Sequence, residues 1–395
     1  MHIVFFTHPD FMGGQRMPPF ASMPRFARML ADGMRERGHQ VEMWAPKSRF
    51  FDLPVKGSPK KWLGYIDQYL IFPAEVRRRL KKYSPDTLFV FTDHALGPWV
   101  PLVADRRHAI HCHDFMAQRS ALGYFPENPT GWSGQQYQRL IRQGYSQGKH
   151  FISVSQKTKD ELKDFLPSPP LTSEVVYNGL DQTLAPFDYV KARAAVSEKT
   201  GLNLAAGYLM HVGGNQWYKN RLGVIELYNA WRTASQAKLP LLLIGERLSP
   251  ALEKARAESP FKDDIHSLSG VGDELVRLAY AGATVFLFPS IAEGFGWPIA
   301  EAMAAGTLVI TTGEAPMTEV AGNAGFLIPR RPYNEPKSGT WAKDAAVTIE
   351  KAVNLTPTER TAAITAGLNN VTRFNSEAAL NRIEEIYKSI AEKYR

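Results

Sequence analysis

The run Val285-Phe286-Leu287-Phe288-Pro289-Ser290-Ile291-Ala292-Glu293-Gly294-Phe295-Gly296-Trp297-Pro298-Ile299-Ala300-Glu301-Ala302-Met303 reads as strand, loop and helix in nineteen positions. The apolar strand ends at Phe288, a glycine-broken loop follows, and Pro298 stands in a first helical turn, where its missing N–H costs nothing. In an open α/β sheet the loop beyond the carboxyl end of a strand is where ligands bind. Gly294 and Gly296 let backbone amides approach a ligand, and the helix beginning near Pro298 presents unpaired N–H groups and a positive dipole end to an anion. A phosphate suits that place. Two carboxylates would repel it unless they face hydroxyl groups, for which they are strong acceptors. Glu293 and Glu301 therefore imply a ligand with phosphate in the middle and sugar at both ends.

The same alternation runs the length of the chain. Strands are predicted at 3–6, 40–44, 87–91, 109–111, 151–154 and 174–177, with a helix at 22–37 that Gly38 ends. The second half repeats the scheme with strands at 208–212, 241–244, 285–288, 308–311 and 326–328, and helices at about 221–235, 274–281 and 298–305. Strands joined by crossover segments imply parallel sheets covered on both faces. The expected architecture is α/β, with two Rossmann-like, doubly wound domains at 1–185 and 186–375. A terminal amphipathic helix over 376–395 returns to the first domain, with apolar residues at Leu380, Ile383, Ile386, Tyr387 and Ile390.

Composition bounds the function. The chain has 395 residues, 44% hydrophobic and 22% charged, an ordinary globular mixture with room for two cores. Its one cysteine, Cys112, excludes a disulfide framework and a zinc site of several thiolates. No signal-peptide core or membrane-spanning run is present, so the expected location is cytoplasmic or peripheral on the inner face of the cell membrane. The first 195 residues hold 26 Lys and Arg against 18 Asp and Glu, so the whole net charge of +8 resides there. Such a field attracts anionic surfaces. No reading helix or aromatic stacking signature supports nucleic acid as the partner, and no Gly-x-Gly-x-x-Gly follows a strand as a dinucleotide dehydrogenase requires.

The spaced glutamates, with Gly-Phe-Gly between them, resemble the hallmark of the retaining glycosyltransferases of family 4, which have the two-domain GT-B fold facing a central cleft. Segments from Gly270-Val271-Gly272-Asp273 through Tyr280, at Pro316-Met317-Thr318-Glu319-Val320-Ala321-Gly322 and at Asn178-Gly179-Leu180-Asp181 are similar to family segments in the same order. The resemblance is strong over 212–328 and follows element order in the first half. It implies that Glu293 meets the transferred sugar and Glu301 the nucleotide ribose, with Val271, Gly294, Phe295, Gly296 and Trp297 around the donor. The family's Val-Gly-Arg-Leu-x-x-x-Lys segment reads here Val212-Gly213-Gly214-Asn215-Gln216-Trp217-Tyr218-Lys219. Lys219 is kept, and Gly214 stands where the arginine would be. Arg221 either supplies the missing charge or is a solvated residue of the next helix. Glu246, in another strand-end loop, is a candidate for the base or phosphate.

In the first half, His111-Cys112-His113-Asp114 suggests a metal site, but strand alternation puts His111 and His113 on one face and Cys112 and Asp114 on the other. The resemblance instead sets His113 toward the transferred sugar, and Gly13 and Gly14 in a loop over the donor phosphate. No Asp-x-Asp motif occurs, so the expected reaction needs neither metal nor cofactor: a UDP- or GDP-linked sugar passes with retention to a saccharide or lipid-linked saccharide. The acceptor domain carries Lys56, Lys60, Lys61, Arg77, Arg78, Arg79, Lys81 and Lys82 among Trp62, Tyr65, Tyr69 and Phe72, a pattern suited to an anionic membrane surface. A nucleotide-sugar epimerase of the same architecture and a non-catalytic sugar-nucleotide binder are the alternatives.

Overall fold

In a computed structural model, which describes residues 1–12, 15–16, 22–180, 183–334 and 339–393, the chain divides into two compact units. Unit 1 comprises Met1–Phe125, Pro129–Tyr177 and Glu377–Arg395, and unit 2 comprises Pro126–Asn128 and Asn178–Ser376. The seam falls at Tyr177–Asn178 and not at 185, because Leu180 N donates to Phe374 O at 2.8 Å and bridges Asn375, which fastens this stretch to unit 2.

Unit 1 is built on β1 (His2–Phe6), a short antiparallel pair of β2 (Phe11–Met12) and β3 (Gln15–Arg16), β4 (Gln40–Trp44), β5 (Leu88–Phe91), β6 (His108–Cys112), β7 (His150–Ser153) and β8 (Thr172–Val175). Six of these pair in parallel in the order β4-β1-β5-β6-β7-β8. The period of two along β1 divides its side chains between two cores. Val4 and Phe6 pack with Trp44, Phe72, Trp99 and Cys112, whereas Ile3 and Phe5 pack with Phe26, Leu30 and Met34. The terminal helix, Ser376–Lys393, completes the second core with Leu380, Ile383, Ile386, Tyr387 and Ile390.

Unit 2 comprises β9 (Leu209–Gly213), β10 (Leu241–Gly245), β11 (Ile265–Ser269), β12 (Val285–Phe288), β13 (Leu308–Thr312) and β14 (Phe326–Ile328), in parallel order β11-β10-β9-β12-β13-β14. Strand β11 is absent from the sequence reading. It lies at the edge, and in Ile-His-Ser-Leu-Ser only Ile265 is buried, so it lacks the apolar run that marks its neighbours. In unit 1 the chain leaves β1 for β4 on one side and later takes β5 on the other; in unit 2, β9 stands likewise between β10 and β12. Each pair, β1/β5 and β9/β12, is thus a switch point with a crevice at its carboxyl end.

Buried histidines give the fold an acid limit. Burial pushes both His111 and His211 down to about 3. Between the ordinary histidine value of about 6.5 and that level, the unfolded chain binds protons that the native chain refuses. Thermal stability is expected to fall progressively as pH drops through this window, at about 1.4 kcal/mol per pH unit for each histidine. The melting temperature of a His211→Gln variant should depend less steeply on pH than that of the parent; an unchanged slope would contradict this origin.

Candidate functional site

The crevice of unit 2 is assembled from the loops after β9 and β12. Asn220 joins them: it takes a left-handed backbone (φ 51°), caps the helix Arg221–Ala234 by accepting from Gly223 N at 3.2 Å, and donates from Nδ2 to Pro289 O at 2.9 Å. Ile291 N donates to Tyr218 O at 2.7 Å, so the two loops are pinned at a second point. Between these pins the Lys219 ammonium meets Glu293, with Nζ 2.9 Å from Oε1 and 3.2 Å from Oε2. Both side chains are mostly withdrawn from solvent, at 16% and 8% exposure. The Lys219 ammonium also lies 5.2 Å from the Phe288 ring centroid.

Glu301 stands in the helix Trp297–Ala304, whose N-cap is Gly296 at φ 102°, a backbone that other residues rarely adopt. Tyr280 Oη donates to Glu301 Oε2 at 3.1 Å. Burial first, then the Glu301 charge, raises the Tyr280 phenol well above its ordinary value, so it stays protonated as the donor. Phe295 sits in the core with its ring edge-on to Phe374, which gives it a packing role beneath the loop. Val271 is half-buried just before the helix Asp273–Gly282.

Beside this pair, Gly213, Gly214 and Asn215 run on from β9. Asn215 N donates to Glu246 Oε2 at 2.7 Å, and Asn215 Nδ2 to Arg247 O at 2.7 Å. Gly245 makes the approach possible, because at its φ of 132° a Cβ would fall 2.2 Å from Gly213 O. Arg221 is not the solvated helix residue that its position allows. It is 2% exposed, and its Nη1 donates to Asn215 Oδ1 at 2.8 Å and Glu246 O at 2.9 Å. Its Nε and Nη2 are buried without a partner among the described residues. The guanidinium thus braces the glycine loop through Asn215 and the Glu246 carbonyl.

In unit 1, His113 follows β6. Its ring packs edge-on to Phe26, which also contacts His111, while Cys112 belongs to the opposite core, so the strand alternation holds. His113 Nε2–H donates to Thr92 O at 2.9 Å, and burial keeps the ring neutral, leaving the Nδ1 lone pair to accept a hydroxyl. Gly13 and Gly14 lie outside the described residues, as does Asp181. Of the basic and aromatic segment 56–82, Phe72 is in the core and Tyr69 pairs with Tyr137 Oη at 2.8 Å, so neither is a surface anchor. Trp62 and Leu70 are the exposed ones, at 67% and 65%. Among the described residues no helix is long and apolar enough to cross a membrane.

Sequence reasoning missed Asn220 and Tyr280 as parts of the site. Asn220 carried a signal, an Asn immediately before a helical pattern; Tyr280 carried one only as the end of the family-like segment that starts at Gly270.

Two doubly wound units, each with a ligand crevice at its switch point, define the GT-B class. Residues 23–184 match the profile of Glycosyltransferase Family 4, and residues 206–337 that of Glycosyl transferases group 1. The chain belongs to the family 4 glycosyltransferases. It is 33% identical over 127 residues to the O-antigen chain mannosyltransferase B of Escherichia coli, covering 31% of this chain and 32% of that one. It is 25% identical over 254 residues to the O-antigen chain mannosyltransferase RfbU of Salmonella typhimurium, covering 64% and 63%. Less than two thirds of either relative is therefore spanned. The structure of Anabaena HepE in complex with UDP superposes with a TM-score of 0.69 at 16% identity, covering 98% of this chain and 100% of that one.

Proposed function

We propose that the protein transfers a sugar from a nucleotide diphosphate donor to a saccharide hydroxyl with retention of configuration. The observation that carries this reading is the Lys219–Glu293 pair at the β9/β12 switch point, eight positions ahead of Glu301 on the adjoining helix. An ammonium beside glycine-loop amides suits a departing diphosphate, whose charge grows in the transition state. Glu293 suits hydroxyls of the transferred sugar, and Glu301, oriented by Tyr280, suits the ribose. The family membership and the two O-antigen mannosyltransferase relatives favour a hexosyl donor and an acceptor in cell-surface polysaccharide or glycolipid synthesis.

Attack occurs on the face from which the nucleotide leaves, and the donor phosphate takes the acceptor's proton. The sugar C1–O bond to the phosphate breaks, the C1–O bond to the acceptor forms, and the nucleoside diphosphate departs. Lys219 and the loop amides carry the charge load, and no metal ion or cofactor takes part. His113, through Nδ1, orients a sugar hydroxyl. The exposed Trp62 and Leu70, flanked by Lys60, Lys61 and Arg77–Arg79, support contact with an anionic membrane on which a lipid-linked acceptor would reside.

Product analysis tests the reading. Free nucleoside diphosphate should appear in step with glycosylated acceptor, with the anomeric configuration kept and the rate unchanged by EDTA. Epimerised nucleotide sugar without free diphosphate would replace it with an isomerase.

A further inference from the structure

Gly213, Gly214 and Gly245 meet where the loops after β9 and β10 come together, and they are small for different reasons. At Gly245 a Cβ would fall 2.2 Å from Gly213 O, and at Gly213 it would fall 2.9 Å from Nε2 of the buried His211 ring. Neither neighbour can yield. At Gly214 the backbone is not left-handed, and the atoms that a Cβ would meet are Oε1, Nε2 and Cδ of Gln216, at 2.4, 2.8 and 3.0 Å. The Gln216 carboxamide therefore lies folded over Gly214, in the space that a side chain at 214 would take.

That carboxamide is exposed and makes no hydrogen bond among the described residues. The backbone that carries it is fixed. Gln216 O accepts Lys219 N at 3.0 Å across the turn Trp217–Lys219, and Tyr218 O in the same turn accepts Ile291 N at 2.7 Å. The Gln216 side chain takes no part in these bonds and does not cap the turn. The amide over Gly214 and the ammonium of Lys219 thus issue from the two ends of one pinned turn. Lys219 Cδ lies 3.7 Å from the Cβ position of Gly213, so both side chains border the same pair of glycines.

A polar group without a structural partner, held beside an ammonium and a glycine loop, suits an anion. Its Nε2 carries two N–H donors and no charge. Arg221 does not fill this part: its guanidinium is enclosed, and the bonds it makes go to Asn215 Oδ1 and Glu246 O.

We propose that Gln216 is a donor-binding residue whose Nε2–H donates to the β-phosphate of the nucleoside diphosphate, a neutral group acting from above the position where the resembling segment has its arginine. The proposal rests on the transferase reading above and adds a contact to that same site. An amide gives the leaving phosphate a directed hydrogen bond without adding to the charge that the departing product must escape.

The test is isothermal titration of the full chain with UDP, GDP and ADP, and with the matching monophosphates, which lack the β-phosphate. For whichever diphosphate binds the parent, Gln216→Ala should weaken affinity about tenfold, the scale of one hydrogen bond to a charged group, and should leave the monophosphate within about threefold. Gln216→Glu, which keeps the shape and sets a carboxylate against the phosphate, should weaken the diphosphate further. Gly214→Ala, whose Cβ displaces the carboxamide, should reproduce the loss in the parent and add less than about threefold in the Gln216→Ala background. Diphosphate affinity in Gln216→Ala within about threefold of the parent, or an equal loss of mono- and diphosphate, would overturn the proposal and leave the transferase reading standing. A full further loss from Gly214→Ala in the Gln216→Ala background would overturn the placement of the amide. A parent that binds none of the nucleotides would refute the transferase reading and this proposal with it.

Discussion

Lys219→Ala is expected to lower kcat by 10²- to 10³-fold, the effect of removing one preorganised group that faces developing charge, worth about 2.7–4 kcal/mol. The donor KM should move much less, because in the proposed role the ammonium acts most strongly on the leaving diphosphate. Its side chain is 16% exposed and rests against Phe288, so the charge sits in a setting where solvent screens it weakly. Steady-state kinetics with a matched melting curve checks this. Turnover within threefold of the parent in a folded variant would contradict the role.

The second large effect is expected at Glu293, and its sign pattern differs. In the ligand-free protein Glu293 is the partner of Lys219, so a diphosphate must compete with a carboxylate for the ammonium. Glu293→Gln removes that competitor together with the proposed acceptor for the sugar's hydroxyls. Affinity for free nucleoside diphosphate should stay equal or tighten a few-fold, while kcat falls by about 10²-fold or more. Isothermal titration with UDP and GDP, alongside turnover, separates the two. A parallel loss of nucleotide affinity would show that Glu293 binds the nucleotide and not the sugar.

Much of the fold is legible because both sheets are parallel and buried on two faces, so their strands read as apolar runs. Strand β12 and its loop carry the strongest pattern, and the structure places Val285–Phe288 as the sequence does. Strand β11 escapes because an edge strand needs few apolar residues. The terminal helix is legible from its stripe, and Leu380 and Tyr387 do lie in the core of unit 1. The candidate site divides similarly. Glu293, Glu301 and Lys219 are visible through motif spacing, whereas the contact between Lys219 and Glu293 is not, since it spans 74 positions and depends on Asn220 closing two loops. Arg221 illustrates the converse: a charged residue at a helix start reads as solvated, and only the packing shows it bracing the glycine loop.

The most direct test of the donor site is a thermal-shift panel of UDP-, GDP- and ADP-sugars on the intact chain, with Glu301→Ala as the control. Sugars of one nucleotide should stabilise the protein selectively, and Glu301→Ala should abolish the shift while melting near the parent in the absence of ligand. Stabilisation that survives in Glu301→Ala, or none with any of the three nucleotides, would contradict a nucleotide-sugar site at the β9/β12 crevice.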